Sequence, residues 1–267
     1  MDNSIIERYE KGEAFSKIAK SINKSSNYVK RILKLNNIKI RNLSQSHEIY
    51  SYDKDFFKKI DSEEKAYILG FLYADGNVCK NVMQICLHKK DEEILFMFKK
   101  SLKSSHKIVN DRGYVRFRIG NEELVRDLLT QGIHERKTFT LEFPNENILP
   151  LHLQNHFIRG YFDGDGCIKH SQDKKYNYTT WGFEIISCFS FLTEVNKILA
   201  RDAGINLANL TREKRRENPI YYLRHGGTSI KRVLLIYNYL YKNSSFFLKR
   251  KKEKFDLIIN QLKKQDA

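Results

Sequence analysis

Asp75 and Asp165 are the residues of this 267-residue chain whose setting points most directly to chemistry. Each closes an apolar run and precedes a glycine: AYILGFLYADG over 66–76 and HFIRGYFDGDG over 156–166. Gly70 pairs with Gly160, Phe71 and Leu72 with Tyr161 and Phe162, and Gly76 with Gly166, all at one offset of 90 residues. A block repeated at a long fixed offset marks a duplicated unit. Read as helices, the two copies place Gly70 and Ala74, and Gly160 and Gly164, on a single face each, because residues four apart share a face. That face is nearly bare, so two such helices can meet backbone to backbone. Leu69, Leu72, Ile158 and Phe162 point elsewhere, into the cores of two flanking lobes. The aspartates then end their helices, at the negative end of the macrodipole, and side by side they repel each other. A cation belongs between them, and oxygen ligands favour Mg²⁺, with Mn²⁺ as a substitute. Gly76 and Gly166 are expected in the left-handed conformation that closes many helices.

The elements that must carry these aspartates follow from periodicity. After Gly76 the helical pattern gives way to alternation. Val82–His88 turns Met83, Ile85 and Leu87 to one side and Gln84, Cys86 and His88 to the other. Tyr114–Ile119 buries Val115, Phe117 and Ile119 and exposes Tyr114, Arg116 and Arg118. Helical stripes lie between these strands, over Asp91–Leu102, and after them, from Asn121 to Gly132. The second copy repeats the order, with strands near 167–171, 179–187, 209–214 and 220–225. Its helices are expected over 189–203, 229–241 and 246–262. The fold class is therefore α+β: two pseudo-symmetric αββαββα lobes with antiparallel, saddle-shaped sheets.

Ahead of them, residues 1–40 carry three short helical patterns, the last near Ser26–Leu35, which suggests a small all-α helix-turn-helix domain. Its sequence resembles the helix-turn-helix of resolvase-like recombinases. Asn27, Lys30, Arg31 and Lys34 would face DNA while Val29, Ile32 and Leu33 pack inward. Residues 41–60 lack sustained periodicity and read as a linker, in which Arg41 and Lys54 are candidate phosphate contacts and His47 carries no signal. Lobe one then covers 61–150 and lobe two 151–267.

Composition narrows the partner. Lysine and arginine number 48 against 32 acidic residues, a net charge of +16. The excess is spread along the chain, which favours a polyanion, most simply nucleic acid. Cys79, Cys86, Cys167 and Cys188 form no CxxC pair and read as reduced thiols rather than a zinc site or disulfide framework. No run reaches the roughly 18 apolar residues of a membrane span, and the N-terminus is no signal peptide. A soluble, intracellular protein with no membrane partner is expected, cytoplasmic in a bacterial or phage setting, with an organelle as the alternative.

The paired motifs resemble those of the LAGLIDADG homing endonucleases of the single-chain, two-motif kind, over roughly residues 60–254. The first copy reads ILGFLYADG and the second IRGYFDGDG. Tyr73 departs from the motif, which usually has an aspartate there, whereas Asp163 keeps it. The resemblance implies that Asp75 and Asp165, with Ala74 and Gly164 beside them, hold the metal. It also implies a monomer that cuts both strands of a long double-stranded DNA site, leaving short 3′ overhangs, in intron homing. A basic residue per lobe near the attacking water is implied as well. Lys137 in ERKTFTLEFP matches it in lobe one. Lys251 matches in lobe two through the Arg-Lys pairs 136/137 and 250/251, with Lys249 and Lys252 as competitors. The outward strand residues Gln84, His88, Arg116 and Arg118, and Arg212, Lys214, Tyr222 and Arg224, are candidates for base reading, with phosphate contact or solvent exposure competing at each. His134 and His225 are read as surface histidines, with proton shuttling as the alternative. Two other readings share this fold: a maturase that binds intron RNA, and a DNA-binding regulator without catalysis. Retention of both aspartates weighs against the regulator. An intein origin is disfavoured, because no initial Cys or Ser and no terminal His-Asn is present.

Overall fold

The computed structural model describes residues 2–11, 13–40, 50–173, 175, 178–215, 217–227 and 230–265. The chain forms two compact units, Met1–Tyr52 with Lys103–Ser105, and Asp53–Leu102 with His106–Ala267. Arg41 and His47, with the rest of residues 41–49 of the expected linker, lie outside the described residues.

The first unit contains α1 (Asp2–Glu10), α2 (Phe15–Ser21) and α3 (Ser26–Leu35). Ser25 caps α3 by accepting from the Tyr28 amide at 3.2 Å, which satisfies one of the helix's free N–H groups. Ile5, Tyr9, Ile18, Ala19, Val29, Ile32 and Leu33 make one core. The opposite face of α3 leaves Asn27, Arg31 and Lys34 exposed. Lys30 lies over the Phe15 ring, 4.7 Å from its centroid.

The second unit opens with Phe56, Phe57 and Ile60, all buried. Burying such side chains contributes roughly 2 kcal/mol each, so this stretch is anchored by packing that its lack of periodicity conceals. Then come α4 (Glu63–Asp75), β1 (Gly76–Cys79), β2 (Val82–His88), α5 (Glu92–Ser101), β3 (Ile108–Asp111), β4 (Tyr114–Gly120) and α6 (Glu122–Thr130). The second lobe repeats the order as α7 (Gln154–Asp165), β5 (Gly166–Asp173), β6 (Tyr178–Ser187), α8 (Phe189–Asp202), β7 (Thr211–Arg212), β8 (Tyr221–Gly227) and α9 (Lys231–Tyr241), and α10 (Lys249–Gln265) follows. Each lobe holds a four-stranded antiparallel sheet, in the orders β1-β2-β4-β3 and β5-β6-β8-β7. The alternation of β2 and β4 falls as the sequence indicates, with Met83, Ile85, Val115, Phe117 and Ile119 buried. The two lobes are thus an α+β pair built on the duplicated motif.

Three expectations are corrected. Gly76 (φ −73°) and Gly166 (φ −86°) are extended, not left-handed. Each helix passes straight into a strand, and glycine is required there by closeness: a Cβ on Gly76 would stand 2.5 Å from the Leu72 oxygen, and one on Gly166 2.0 Å from the Phe162 ring. The strand expected over 209–214 shrinks to Thr211–Arg212, so Lys214 sits in the following turn. His225 is buried rather than on the surface. It shares the core side of β8 with Leu223, and burial pulls its imidazole down to about 4.

Candidate active site

α4 and α7 meet along the face that the glycines keep bare. A Cβ on Gly70 would lie 2.0 Å from the Phe157 oxygen, and one on Gly160 would lie 2.0 Å from the Tyr67 oxygen. One on Gly164 would fall 2.4 Å from the Ala74 Cβ and 3.2 Å from Asp75 Oδ2. Only glycine permits this approach, and the approach carries Asp75 and Asp165, the last residues of the two helices, to the same place.

Electrostatics there are unfavourable for bare carboxylates. Burial and then the charge of Asp165 push the Asp75 carboxyl up to about 6, against the pull of Lys251 and Lys137. Burial likewise raises Asp165, opposed by Lys137 and Lys251. No hydrogen-bond donor among the described residues supports the Asp75 carboxylate. Two carboxylates that repel, flanked by the main-chain oxygens of Ala74 and Gly164, form an all-oxygen donor set that fits a hard divalent cation. Among the described residues no group of three or more His, Cys, Asp or Glu gathers. A cation held here would therefore fill its coordination from water or from a bound phosphate, as Mg²⁺ does.

Two lysines reach the ends of these helices. Lys137 begins a short 3₁₀ turn, and its Nζ donates to Gly76 O at 2.5 Å and Ala74 O at 3.5 Å. Lys251, in the first turn of α10, donates to Phe162 O (2.6 Å), Gly164 O (3.1 Å) and Gly166 O (2.7 Å). Both lysines are buried, and each places positive charge at the negative end of a helix dipole. Burial lowers Lys137 and brings Lys251 down to about 8. Lys249 and Lys252 turn elsewhere, towards Glu253 (3.8 Å) and Asp256 (3.4 Å). Lys137 and Asp165 line one cavity of about 200 Å³ with Tyr73, Ala74, Tyr161 and Ser187. His134 is not part of it, bonding instead to Thr140 Oγ1 at 2.8 Å.

The departure at Tyr73 is structural. Its hydroxyl donates to Gln131 O at 2.8 Å. Asp163, the equivalent in the second copy, is buried and accepts from Tyr241 OH (2.5 Å), Tyr67 OH (2.8 Å) and Leu248 N (2.7 Å).

The outward faces of the sheets carry the other candidates. In lobe one Gln84 stands opposite Arg118 and Cys86 opposite Arg116, with His88 edge-on to Tyr114. In lobe two Arg212 is exposed, while Tyr222 donates to Glu213 at 2.5 Å. Arg224 stacks 3.9 Å from the Tyr222 ring centroid and donates to Glu184 at 2.5 Å. Glu184 is absent from the sequence-based candidates. It pairs with Cys167 and Arg224 as Gln84 pairs with Asn77 and Arg118, a correspondence that only the strand register exposes.

Residues 152–238 match the family model described as LAGLIDADG-like domain. The fold is similar to that of the I-LtrWI LAGLIDADG homing endonuclease bound to target DNA, at 13% identity and a TM-score of 0.52, over 80% of this chain and 92% of that one. It is similar to the LAGLIDADG meganuclease I-AabMI bound to uncleaved DNA (17%, 0.51, 74% and 91%). The meganuclease I-SmaMI bound to uncleaveable DNA is a third such structure (12%, 0.53, 78% and 92%). At these identities the likeness is one of fold. No curated protein matches by sequence.

Proposed function

From a chain that carries a LAGLIDADG-like domain in a two-lobed LAGLIDADG fold, we propose a site-specific endonuclease that makes a double-strand break in DNA. The observation that carries this reading is the meeting of α4 and α7 at glycine contacts, which brings two mutually repelling aspartates together with a lysine on each helix end. A regulator that only binds DNA has no use for carboxylates held against their own repulsion.

Asp75 and Asp165, with the oxygens of Ala74 and Gly164, are the residues to hold Mg²⁺. When bound, the cation supplies charge stabilisation to the phosphodiester and a more acidic water. The chain's own residues do the rest. The glycine contacts fix the spacing of the two carboxylates. Lys137 and Lys251, fastened to main-chain oxygens, place positive charge where the scissile phosphates and the leaving oxygens develop negative charge. Their burial keeps them in one orientation, which favours a near-attack geometry. Arg116, Arg118, Arg212, Lys214 and Arg224 supply the groove and phosphate contacts, with Gln84 and His88 on the same face of lobe one. α3 of the first unit, through Asn27, Lys30, Arg31 and Lys34, adds DNA contacts that lengthen the site. By likeness to the family, the cuts are staggered and leave short 3′ overhangs.

The test uses a plasmid carrying the gene's own insertion locus with the gene removed. With Mg²⁺ it is expected to be cut once, at a fixed position, and end-mapping of both strands reads the overhang. Asp75→Asn and Asp165→Asn are each expected to abolish the double-strand break. Tight binding without any cut would overturn the nuclease reading in favour of a regulator. Affinity for intron RNA equal to that for DNA would add the maturase role.

A further inference from the structure

The two lysines sit on segments that follow the last helix of each lobe's repeat. Lys137 follows α6 after a turn in which Gly132 and Arg136 both have positive φ (90° and 56°). Lys251 belongs to α10, which follows the second lobe's repeat. Each segment is tied to the motif helix at one equivalent position, two residues before the terminal aspartate.

In lobe one that position is Tyr73. Its hydroxyl donates to Gln131 O, and a Cβ on Gly132 would stand 2.1 Å from that hydroxyl oxygen, so the turn is pressed onto the tyrosine. The Gln131 side chain is pinned as well, donating to Phe57 O at 2.9 Å. From here the chain runs through buried Ile133 to Lys137. In lobe two the position is Asp163. Its Oδ2 accepts from the amide of Leu248, the residue that opens α10, and its two oxygens also take the hydroxyls of Tyr67 and Tyr241. Lys251 N in turn bonds to Leu248 O at 3.0 Å. The rotation of α10 about its axis, which decides which side chain of 249–252 points at the site, is therefore set at Asp163. At about 100° per residue, a slip of one position would turn Lys251 away. Two more acids set the same rotation: Glu93 accepts from Lys249 N at 2.9 Å, and Asp91 holds Arg250 at 2.5 and 2.9 Å.

We propose that Tyr73 and Asp163 are positioning residues, each for the lysine of its own lobe, so that each governs the cutting of one DNA strand. This rests on the endonuclease reading above and on the lysine roles given there. The device is quasi-symmetric in place but not in chemistry. Lobe one uses a neutral hydroxyl that donates to a carbonyl. Lobe two uses a carboxylate that accepts an amide and two hydroxyls. A motif that departs from its family at Tyr73 thus keeps the function of the position with the hydrogen bond reversed.

The experiment follows each strand of a target duplex separately, with a different label at each 5′ end, in single turnover with Mg²⁺. Wild type, Lys137→Met, Lys251→Met, Tyr73→Phe and Asp163→Asn are compared, with DNA affinity and thermal melting measured on the same preparations. Y73F is expected to slow the strand that K137M slows, and D163N the strand that K251M slows. Each loss is expected to be on the order of tenfold or more, since a misplacement near 1 Å can cost about a hundredfold. The other strand should stay within roughly twofold, and nicked duplex should accumulate. If D163N does not fold, Tyr241→Phe, which removes one of the hydroxyls on Asp163, takes its place. Equal slowing of both strands, or slowing of the strand opposite to the matching lysine variant, would overturn the proposal. So would lysine variants that slow both strands equally. Failure of the wild type to cut either strand would instead overturn the endonuclease reading.

Discussion

Asp75→Asn is expected to make the metal-free protein more stable. In the folded chain the Asp75 carboxyl is raised from its ordinary 3.8 to about 6, by burial first and by Asp165 second. A group raised in this way favours folding while protonated. That contribution is whole below the unfolded value near 4 and is lost as pH rises through about 6. Each unit of difference corresponds to about 1.4 kcal/mol, so above pH 6 the ionised pair costs the wild type about 3 kcal/mol. Asparagine removes the charge but leaves an amide without partners, which costs about 1 kcal/mol. A net gain of about 2 kcal/mol remains, or roughly 4–8 °C in Tm for a unit of this size. The assay is thermal unfolding in chelator at pH 7.5 and again at pH 4, for wild type and D75N. The gain should be present at pH 7.5 and gone at pH 4. Millimolar Mg²⁺ should raise the wild-type Tm and leave that of D75N nearly unchanged. A D75N protein that melts at or below the wild type at pH 7.5, or a difference that does not depend on pH, would refute the claim that this site stores carboxylate repulsion.

Other substitutions test the scaffold and the DNA face. Gly70→Ala or Gly160→Ala drives a Cβ to 2.0 Å from a backbone oxygen, so the helices must separate. A loss of about 3 kcal/mol or more is expected and should outweigh the gain of about 1 kcal/mol in helix propensity. Gly120→Ala meets nothing nearer than 4.0 Å and should leave the melting curve nearly unchanged. Arg159→Met removes a fully buried guanidinium that bonds Glu63, Leu240 O and Phe246 O at 2.7 Å each. Breaking such a pair should cost about 3–5 kcal/mol in chemical denaturation. Arg31→Ala and Lys34→Ala, exposed on α3, should each weaken binding uniformly across target variants and lower the salt slope by about 1, while leaving the cut position unchanged.

The duplicated motif, the bare helix face, the aspartates that end each helix and the alternating strands were all legible in the residues. The reason is that each is a local pattern, with a period of about 3.6 or 2 residues, written twice. The helix over Ser26–Leu35 was legible for the same reason, since its cap and its apolar stripe lie within ten residues of each other. Only the tertiary structure decided the rest. Gly76 and Gly166 are glycines because Leu72 and Phe162 crowd them, which depends on how each helix turns into its strand. His225 is buried because the register of β8 sets it opposite Phe183, on the same side of the strand as Leu223. Lys251 rather than Lys249 or Lys252 reaches α7, because Asp163, Glu93 and Asp91, far away in sequence, fix the rotation of α10. Glu184 meets Arg224 across 40 residues of chain. Contacts between distant segments leave no periodic trace, so their partners emerge only when packing brings them together.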